Sequence, residues 1–316
     1  MSILDEKIVK AKNICLLGHI NPDGDCIGST LSIYNYIKNK YDDKVVKVYL
    51  MEPSEKFSIL KGFKNISSET NDNIKYDLAI ICDASSRERV KDFISYADNA
   101  KEVLVFDHHE TNNFSYENMI IDIKSPATCE IIYKYMDDKF IDKNVAECLY
   151  IGICSDTGCF KYNSTTHETM NIAGNLMDKG IDFTNLQDKI IFSNSLRQRR
   201  IQAIAFNRIK CLHGGQVVFS YVLQEELDNL NLDKKDIDNI IVYLREIEKI
   251  KIAIFAYPIG HNIYKLSIRS NDNNINVATF ARNHDGGGHA MAAGFTYKGN
   301  IEEIEKKLDK DLNEII

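Results

Sequence analysis

Four short segments hold most of the residues that could carry chemistry. They are His19-Ile-Asn-Pro-Asp23-Gly-Asp25, Asp83, Asp107-His108-His109, and Asp156-Thr-Gly. Each follows an apolar run: NICLLG at 13–18, DLAIIC at 77–82, EVLVF at 102–106 and LYIGICS at 149–155. Taken singly, an aspartate after a strand is a helix cap or a turn former, and a lone histidine is more often structural than a ligand. Four such endings together, with Asp and His and without Lys or Arg at the tips, resist that explanation. Clustered carboxylates repel one another, and cations are the obvious compensation.

The donor types indicate which cation. Asp23, Asp25, Asp83 and Asp156 supply oxygen, and His19 and His108 supply nitrogen. Hard oxygen donors with a little imidazole suit Mn²⁺ or Mg²⁺ (Co²⁺ as a substitute) better than a structural Zn²⁺ site. Six protein ligands are too many for one catalytic ion that must keep open positions. They suit two divalent ions about 3.5–4 Å apart with one carboxylate bridging, an arrangement that can clamp the oxygens of a phosphate. Asp23-Gly-Asp25-Cys-Ile27 breaks the alternating ligands of an EF-hand.

A second constellation is Gly286-Gly287-Gly288-His289-Ala-Met-Ala-Ala-Gly294. Consecutive glycines let backbone N–H groups converge on an anion. No Gly-Lys-Ser/Thr follows, so it is not a P-loop, and it does not fit G-x-G-x-x-G. A flexible loop explains the glycines equally well. Arg269, Arg282 and the attached His289 tilt the reading toward phosphate or nucleotide binding. Arg197, Arg199 and Arg200 read as a solvated face.

The elements that must position these residues alternate through the first half. Strands are expected at 13–18, 44–51, 77–82 and 102–106, and helices at 28–40 and 128–136. The run at 146–154 reads as a buried helix, with a strand as the alternative. This alternation favours an α/β fold with a parallel sheet and helices on both faces. In such a sheet the carboxyl ends of the strands share one edge, where ligands bind. The pattern changes around 182–200, and a linker is placed at 185–205 between a catalytic domain at 1–184 and a smaller α/β domain at 206–316. The second domain has strand candidates at 216–222, 251–257 and 264–269, a polar helix near 234–249 and an amphipathic tail helix at 300–316.

Composition bounds the function. Net charge is −7, which argues against a broad surface for long duplex nucleic acid. It leaves room for a small anionic substrate once cations are bound. No apolar run is long enough to cross a bilayer, and the N-terminus lacks a secretory pattern. The eight cysteines contain no C-x-x-C pair and lie mostly in apolar runs. They read as reduced thiols of a cytoplasmic protein, not as a disulfide framework or zinc site.

The four motifs and the glycine-rich segment resemble the DHH phosphoesterase superfamily, in the subfamily with a C-terminal DHHA1 domain. The signature is Asp107-His108-His109. The first motif stands as Gly18-His19-Ile-Asn-Pro-Asp23-Gly-Asp25-Cys-Ile-Gly28-Ser29, the second as Cys82-Asp83-Ala-Ser-Ser-Arg87, and the fourth as Ser155-Asp156-Thr-Gly158. Ser267-Ile-Arg269-Ser270 and Gly286–Gly294 match the second domain. The resemblance implies one Mn²⁺ on His19, Asp23 and Asp83, and another on Asp25, Asp83, His108 and Asp156, with Asp83 bridging. It implies that Asp107 orients an imidazole and that His109 contacts phosphate and protonates the leaving oxygen. Asn112, Arg269, Gly287, Gly288 and His289 would contact substrate. The substrates implied are short oligoribonucleotides and 3′-phosphoadenosine 5′-phosphate. Cyclic diadenylate is the alternative, and pyrophosphate or polyphosphate a more distant one. Family analogy alone points to a homodimer.

Overall fold

The computed structural model describes residues 1–70, 74–233, 236, 237 and 239–315. The chain divides into two compact units, Met1–Ser193 and Asn194–Ile316. Their boundary falls inside the stretch expected to link the domains.

The first unit contains α1 (Ile3–Lys10), β1 (Asn13–Leu17), α2 (Gly24–Lys40), β2 (Val45–Tyr49), β3 (Ile66–Ser67), β4 (Leu78–Cys82), α3 (Arg87–Val90), α4 (Ile94–Asp98), β5 (Glu102–Asp107) and β6 (Asn118–Ile121). It continues with α5 (Thr128–Tyr135), α6 (Lys143–Asp156), α7 (His167–Met177) and α8 (Phe183–Leu186). Among the described residues its strands form one parallel sheet in the order β3-β2-β1-β4-β5-β6. The strand order reverses direction between β1 and β4, the position where open α/β sheets bind ligands.

Strand alternation builds the core on both faces. Ile14 and Leu16 of β1 face one buried cluster, shared with Ile27, Leu31, Ile132 and Leu149 from α2, α5 and α6. Cys15 and Leu17 face the other, with Tyr49, Tyr76, Phe93 and Tyr96. The run at 146–154 is helical throughout, as part of α6. A helix fits because α6 packs against α2 along its length, and glycine permits the approach. A Cβ on Gly28 would come within 2.5 Å of the Cys148 carbonyl, where α2 meets α6; one on Gly152 would come within 2.2 Å of Cys129 Sγ on α5 and 2.9 Å of Asp25 Oδ1 on α2. This crossing sets the start of α2 against the end of α6.

The second unit contains α9 (Leu196–Asn207), β7 (Lys210–Leu212), β8 (Val217–Tyr221), α10 (Gln224–Leu230), α11 (Ile240–Arg245), β9 (Ile252–Gly260), β10 (Ile263–Ser270), α12 (Val277–Arg282), β11 (Gly287–His289), β12 (Ala292–Lys298) and α13 (Ile301–Asp311). Its mixed sheet runs β11-β12-β10-β9-β8-β7 among the described residues. Ile201 and Ala205 of α9 pack into this unit's core with Val218 and Ile240, so the second half of the 185–205 stretch is part of the second unit. The helix expected near 234–249 begins partly outside the described residues, and α11 covers its centre. The eight cysteines are free, and six of them are buried. Among the described residues, no helix is long and apolar enough to cross a membrane.

Candidate metal centre

The acid cluster begins with a helix cap. Oδ1 of Asp23 accepts from the N–H groups of Asp25 and Cys26, 3.1 Å each. This cap starts α2 four residues earlier than the sequence pattern suggests and puts Asp25 in the first turn. Asp25 is fully buried. Its Oδ2 accepts from the N–H of Thr128 at 2.6 Å and its Oδ1 from that of Cys129 at 2.9 Å. The carboxylate therefore sits on the N-terminal end of α5, where the helix dipole favours negative charge.

Asp83 follows β4 with a left-handed φ of 54°. Aspartate is one of the few non-glycine residues that adopt this conformation readily, and here it turns the carboxylate back over the end of the strand. Its Oδ2 lies 3.5 Å from Nε2 of His19, and its Oδ1 lies 3.6 Å from Nε2 of His108. Thr128 Oγ1 donates to Oδ1 at 3.1 Å. One buried carboxylate thus stands between two imidazoles supplied by β1 and β5.

Both imidazoles are oriented by backbone carbonyls. Nδ1 of His19 is 2.8 Å from the Ile20 carbonyl, and Nδ1 of His108 is 3.3 Å from that of Ser125. A proton on Nδ1 leaves the Nε2 lone pair facing the acids in each ring. Nε2 of His108 is buried without a hydrogen-bond partner, while Oδ2 of Asp156 stands 3.3 Å away. A lone pair confronting carboxylate lone pairs calls for a cation between them, so the residues present fit a metal ion. Burial opposes a charge on His108, and Asp156, Asp25 and Asp83 outweigh it, raising its pKa to about 10. The same balance, with Cys26, Asp23 and Asp83, raises that of His19. Burial, aided by Asp83, pushes Asp156 up to about 6 against the pull of His108. The cluster as a whole demands positive charge.

Three groups of side chains come close enough to share an ion. They are His19 with Cys26 and Asp83, Asp83 with His108 and His109, and Asp25 with His108 and Asp156. Asp25, Asp83, His108 and Asp156 thus converge as the sequence suggested. Asp156 does so from the last residue of α6, not from a strand tip. Asp23 stands apart from these groups, with its Oδ1 3.7 Å from His19 Nε2 and its side chain 54% exposed. Cys26, which the sequence pattern marks only as a core thiol, belongs to the first of these groups. Its thiol accepts from the His19 N–H at 3.2 Å and so braces the loop, and burial raises its pKa to about 11. No sequence pattern singles out Arg89. Its Nη2 lies 3.0 Å from His19 Nδ1, which corrects the expectation that no basic residue reaches the strand tips. Arg87, quoted in the second motif, turns away to Asp98 at 2.6 Å.

Asp107 is fully buried at the end of β5. Its Oδ1 is 2.6 Å from Nδ1 of His109, and its Oδ2 accepts from Asn112 Nδ2 at 2.7 Å. Burial opposes its ionisation, and His109 and Asn112 outweigh that, so its pKa is lowered. The pairing with Asp107 raises the pKa of His109, whose side chain is 39% exposed. Asn112 also donates to the Ala84 carbonyl at 3.3 Å and accepts from the Phe114 N–H. Its amide is occupied in holding Asp107.

In the second unit, the glycine-rich segment is a hairpin: β11 pairs antiparallel with β12. Ala292 is opposite both His289 on β11 and Arg269 on β10. Directly opposed residues share a sheet face, so Arg269, Ala292 and His289 form one row, with His289 exposed and Arg269 half-buried. Gly288 has φ 141°, and a Cβ there would meet the Ala292 carbonyl at 2.4 Å, whereas Gly287 has open space above it. Backbone packing accounts for Gly288, and Gly287 is the one of the two that leaves room for a ligand.

Comparison with known proteins follows the same division. Residues 13–153 match the DHH family, N-terminal domain, and residues 214–314 match the DHHA1 domain. A protein of Bacillus subtilis named bifunctional oligoribonuclease and PAP phosphatase NrnA is 26% identical over 287 residues, covering 89% of this chain and 88% of that one. A Streptococcus mutans protein named as a probable member of the same kind is 29% identical, covering 91% and 90%. The crystal structure of an exopolyphosphatase-related protein from Bacteroides fragilis shares the fold. Its TM-score is 0.87 at 24% identity, over 98% of this chain and 94% of that one. With both halves matched in order, the chain belongs to the DHH family and carries a DHHA1 domain in its second half.

Proposed function

We propose that this protein is a metal-dependent phosphoesterase that hydrolyses short oligoribonucleotides and 3′-phosphoadenosine 5′-phosphate. The observation that carries the reading is Asp83, with one oxygen toward His19 and the other toward His108. That arrangement suits a carboxylate bridging two ions. His19, Asp83 and the outward-facing Asp23 would hold one ion, and Asp25, Asp83, His108 and Asp156 the other. Mn²⁺ is the first choice, given the mixture of carboxylate and imidazole. When bound, such ions lower the pKa of water and neutralise charge on the phosphate oxygens.

The remaining steps belong to the chain. Asp107 holds the His109 ring through Nδ1, keeps it protonated, and leaves its other nitrogen for the substrate. His109 then delivers a proton to the leaving oxygen, a role suited to a half-exposed imidazole with a raised pKa. The Arg269–Ala292–His289 row supplies two basic side chains on one sheet face for a phosphate or base, beside the open backbone of Gly287. The substrate names come from the relatives, which carry both activities in their names across nearly the whole length of the chain. The cytoplasm is the compartment that fits free thiols and this substrate class, and a homodimer is the assembly we expect.

The test compares linear diadenylate, 3′-phosphoadenosine 5′-phosphate, cyclic diadenylate and pyrophosphate as substrates of chelator-treated protein, with and without Mn²⁺. We expect no turnover without metal and turnover of the first two with it. The reading is wrong if pyrophosphate alone is cleaved, or if chelator-treated protein stays fully active.

A further inference from the structure

Two arginines stand two residues apart in the turn after Asp83, and they have different environments. Arg87 is satisfied on the outer surface: Nη2 pairs with Asp98 at 2.6 Å, and Nη1 donates to the Tyr116 hydroxyl at 3.2 Å. Arg89 is fastened through its backbone, since its carbonyl accepts from the Ile20 N–H at 2.7 Å. That bond ties α3 to the His19 loop and brings the guanidinium over the imidazole, Nη2 to Nδ1 3.0 Å.

This contact does not satisfy the guanidinium. Nδ1 of His19 also lies 2.8 Å from the Ile20 carbonyl. To donate there it must carry a proton, and to accept from Arg89 it must lack one. The tautomer that frees Nε2 to bind a cation is the one protonated on Nδ1, and in it Arg89 has no acceptor on His19. Among the described residues no carboxylate forms an ion pair with Arg89, in contrast to Arg87. The result is an exposed guanidinium, without an anionic partner, at the edge of an acid cluster. A cluster of carboxylates repels a phosphate approaching it. A planar guanidinium beside it supplies the fork of donors that matches two phosphate oxygens.

We infer that Arg89 is a substrate-contacting residue that grips a phosphate oxygen on the His19 side of the metal centre. This rests on the phosphoesterase reading above. It makes Arg89 a determinant of substrate affinity, separate from the residues that hold metal.

The test uses the full-length Mn²⁺-loaded protein and the variants Arg89→Ala, Arg89→Lys and Arg87→Ala. Calorimetry measures Mn²⁺ binding and then inorganic phosphate binding, and steady-state kinetics follow linear diadenylate. Arg89→Ala should weaken phosphate binding and raise KM by about 10- to 100-fold, the range for a lost charged hydrogen bond. Mn²⁺ stoichiometry and affinity should stay the same, and added guanidinium should recover part of the loss. Arg89→Lys keeps charge without the fork and should fall between; it also serves if the alanine variant does not fold. Arg87→Ala should match the parent protein. Unchanged phosphate affinity in Arg89→Ala overturns the inference. So does a fall in Mn²⁺ affinity in step with activity, which would make Arg89 a support for His19 instead. Phosphate binding needs no turnover. An inactive parent protein that still shows the phosphate difference would therefore count against the substrate assignment and not against Arg89.

Discussion

Oδ2 of Asp83 stands 3.5 Å from Nε2 of His19, while the other oxygen of the same carboxylate faces His108 at 3.6 Å. No other carboxylate in the cluster is placed this way: Asp25 has both oxygens on the N–H groups of Thr128 and Cys129. Removing Asp83 should therefore disable both halves of the centre. Asp83→Asn is the informative variant, because Asn tolerates the left-handed backbone that Asp83 adopts. We expect turnover to fall by about a thousandfold or more and Mn²⁺ stoichiometry to drop, while circular dichroism stays native. Near-normal Mn²⁺-dependent rates in the folded variant would remove Asp83 from the bridging role. Asp83→Ala should be equally inactive and less stable.

The Asp107–His109 pair predicts a shift in a pH profile. Asp107 is the main cause of the raised His109 pKa, so Asp107→Asn lowers it. In the role proposed for it, His109 acts in its protonated form, so activity should fall as it deprotonates at high pH. The alkaline limb of kcat should therefore move to lower pH in Asp107→Asn, with kcat reduced by about 10²–10⁴-fold. An unmoved limb would show that His109 is not the group titrating there.

Gly152 tests the helix crossing that assembles the site. A Cβ at this position would meet Cys129 Sγ at 2.2 Å and Asp25 Oδ1 at 2.9 Å. The cysteine and the aspartate are both anchored to α5 and cannot both yield. Gly152→Ala should destabilise the protein by about 1–3 kcal/mol and weaken Mn²⁺ binding through Asp25. Urea unfolding and metal titration check the two effects separately. Unchanged values for both would mean that the crossing has slack the structure does not reveal.

Asp77 predicts a pH dependence of stability remote from the metal. Lys101 bonds its Oδ1 at 2.7 Å, and the N–H groups of Lys12 and Asn13 donate to Oδ2 at 2.9 Å each. Lys101 first, then these amides, lower its pKa to about 2. A depressed pKa means the stabilisation is complete above the unfolded value of about 4 and is lost as pH falls toward the folded one. Lys101 is well exposed and screened, so the net worth is modest, about 1 kcal/mol. Asp77→Ala should be less stable than the parent at neutral pH, with the gap closing between about pH 4 and pH 2. A gap that persists at low pH would assign the effect to packing.

Much of the site was legible because its ingredients are local. The apolar runs that become β1, β4 and β5 end within a residue or so of the acids and imidazoles they deliver, and period-two burial needs no knowledge of the partner strands. The residues whose roles were not legible depend on how side chains meet in the folded chain. Cys26 matters because it meets the His19 N–H, and Arg89, not Arg87, meets the imidazole. Nothing in the spacing of two arginines separates them. Asn112, expected to contact substrate, also holds Asp107 five residues earlier through its amide. The β11–β12 hairpin was hidden because its glycines and alanines lack the side chains that give strands their pattern.

The amino-acid order by itself marked Asp25, Asp83, His108 and Asp156 as candidates for one cluster. Alternating strands and helices favour a parallel sheet, and such a sheet sends the carboxyl ends of its strands to one edge. Only the tertiary structure decided how those residues face one another. Asp156 arrives from a helix end because α6 can approach α2 closely where glycine replaces a side chain. Asp83 turns its two oxygens to two different rings because its backbone is held in a left-handed turn. Orientation at that scale is set by long-range packing, which no local pattern of residues encodes.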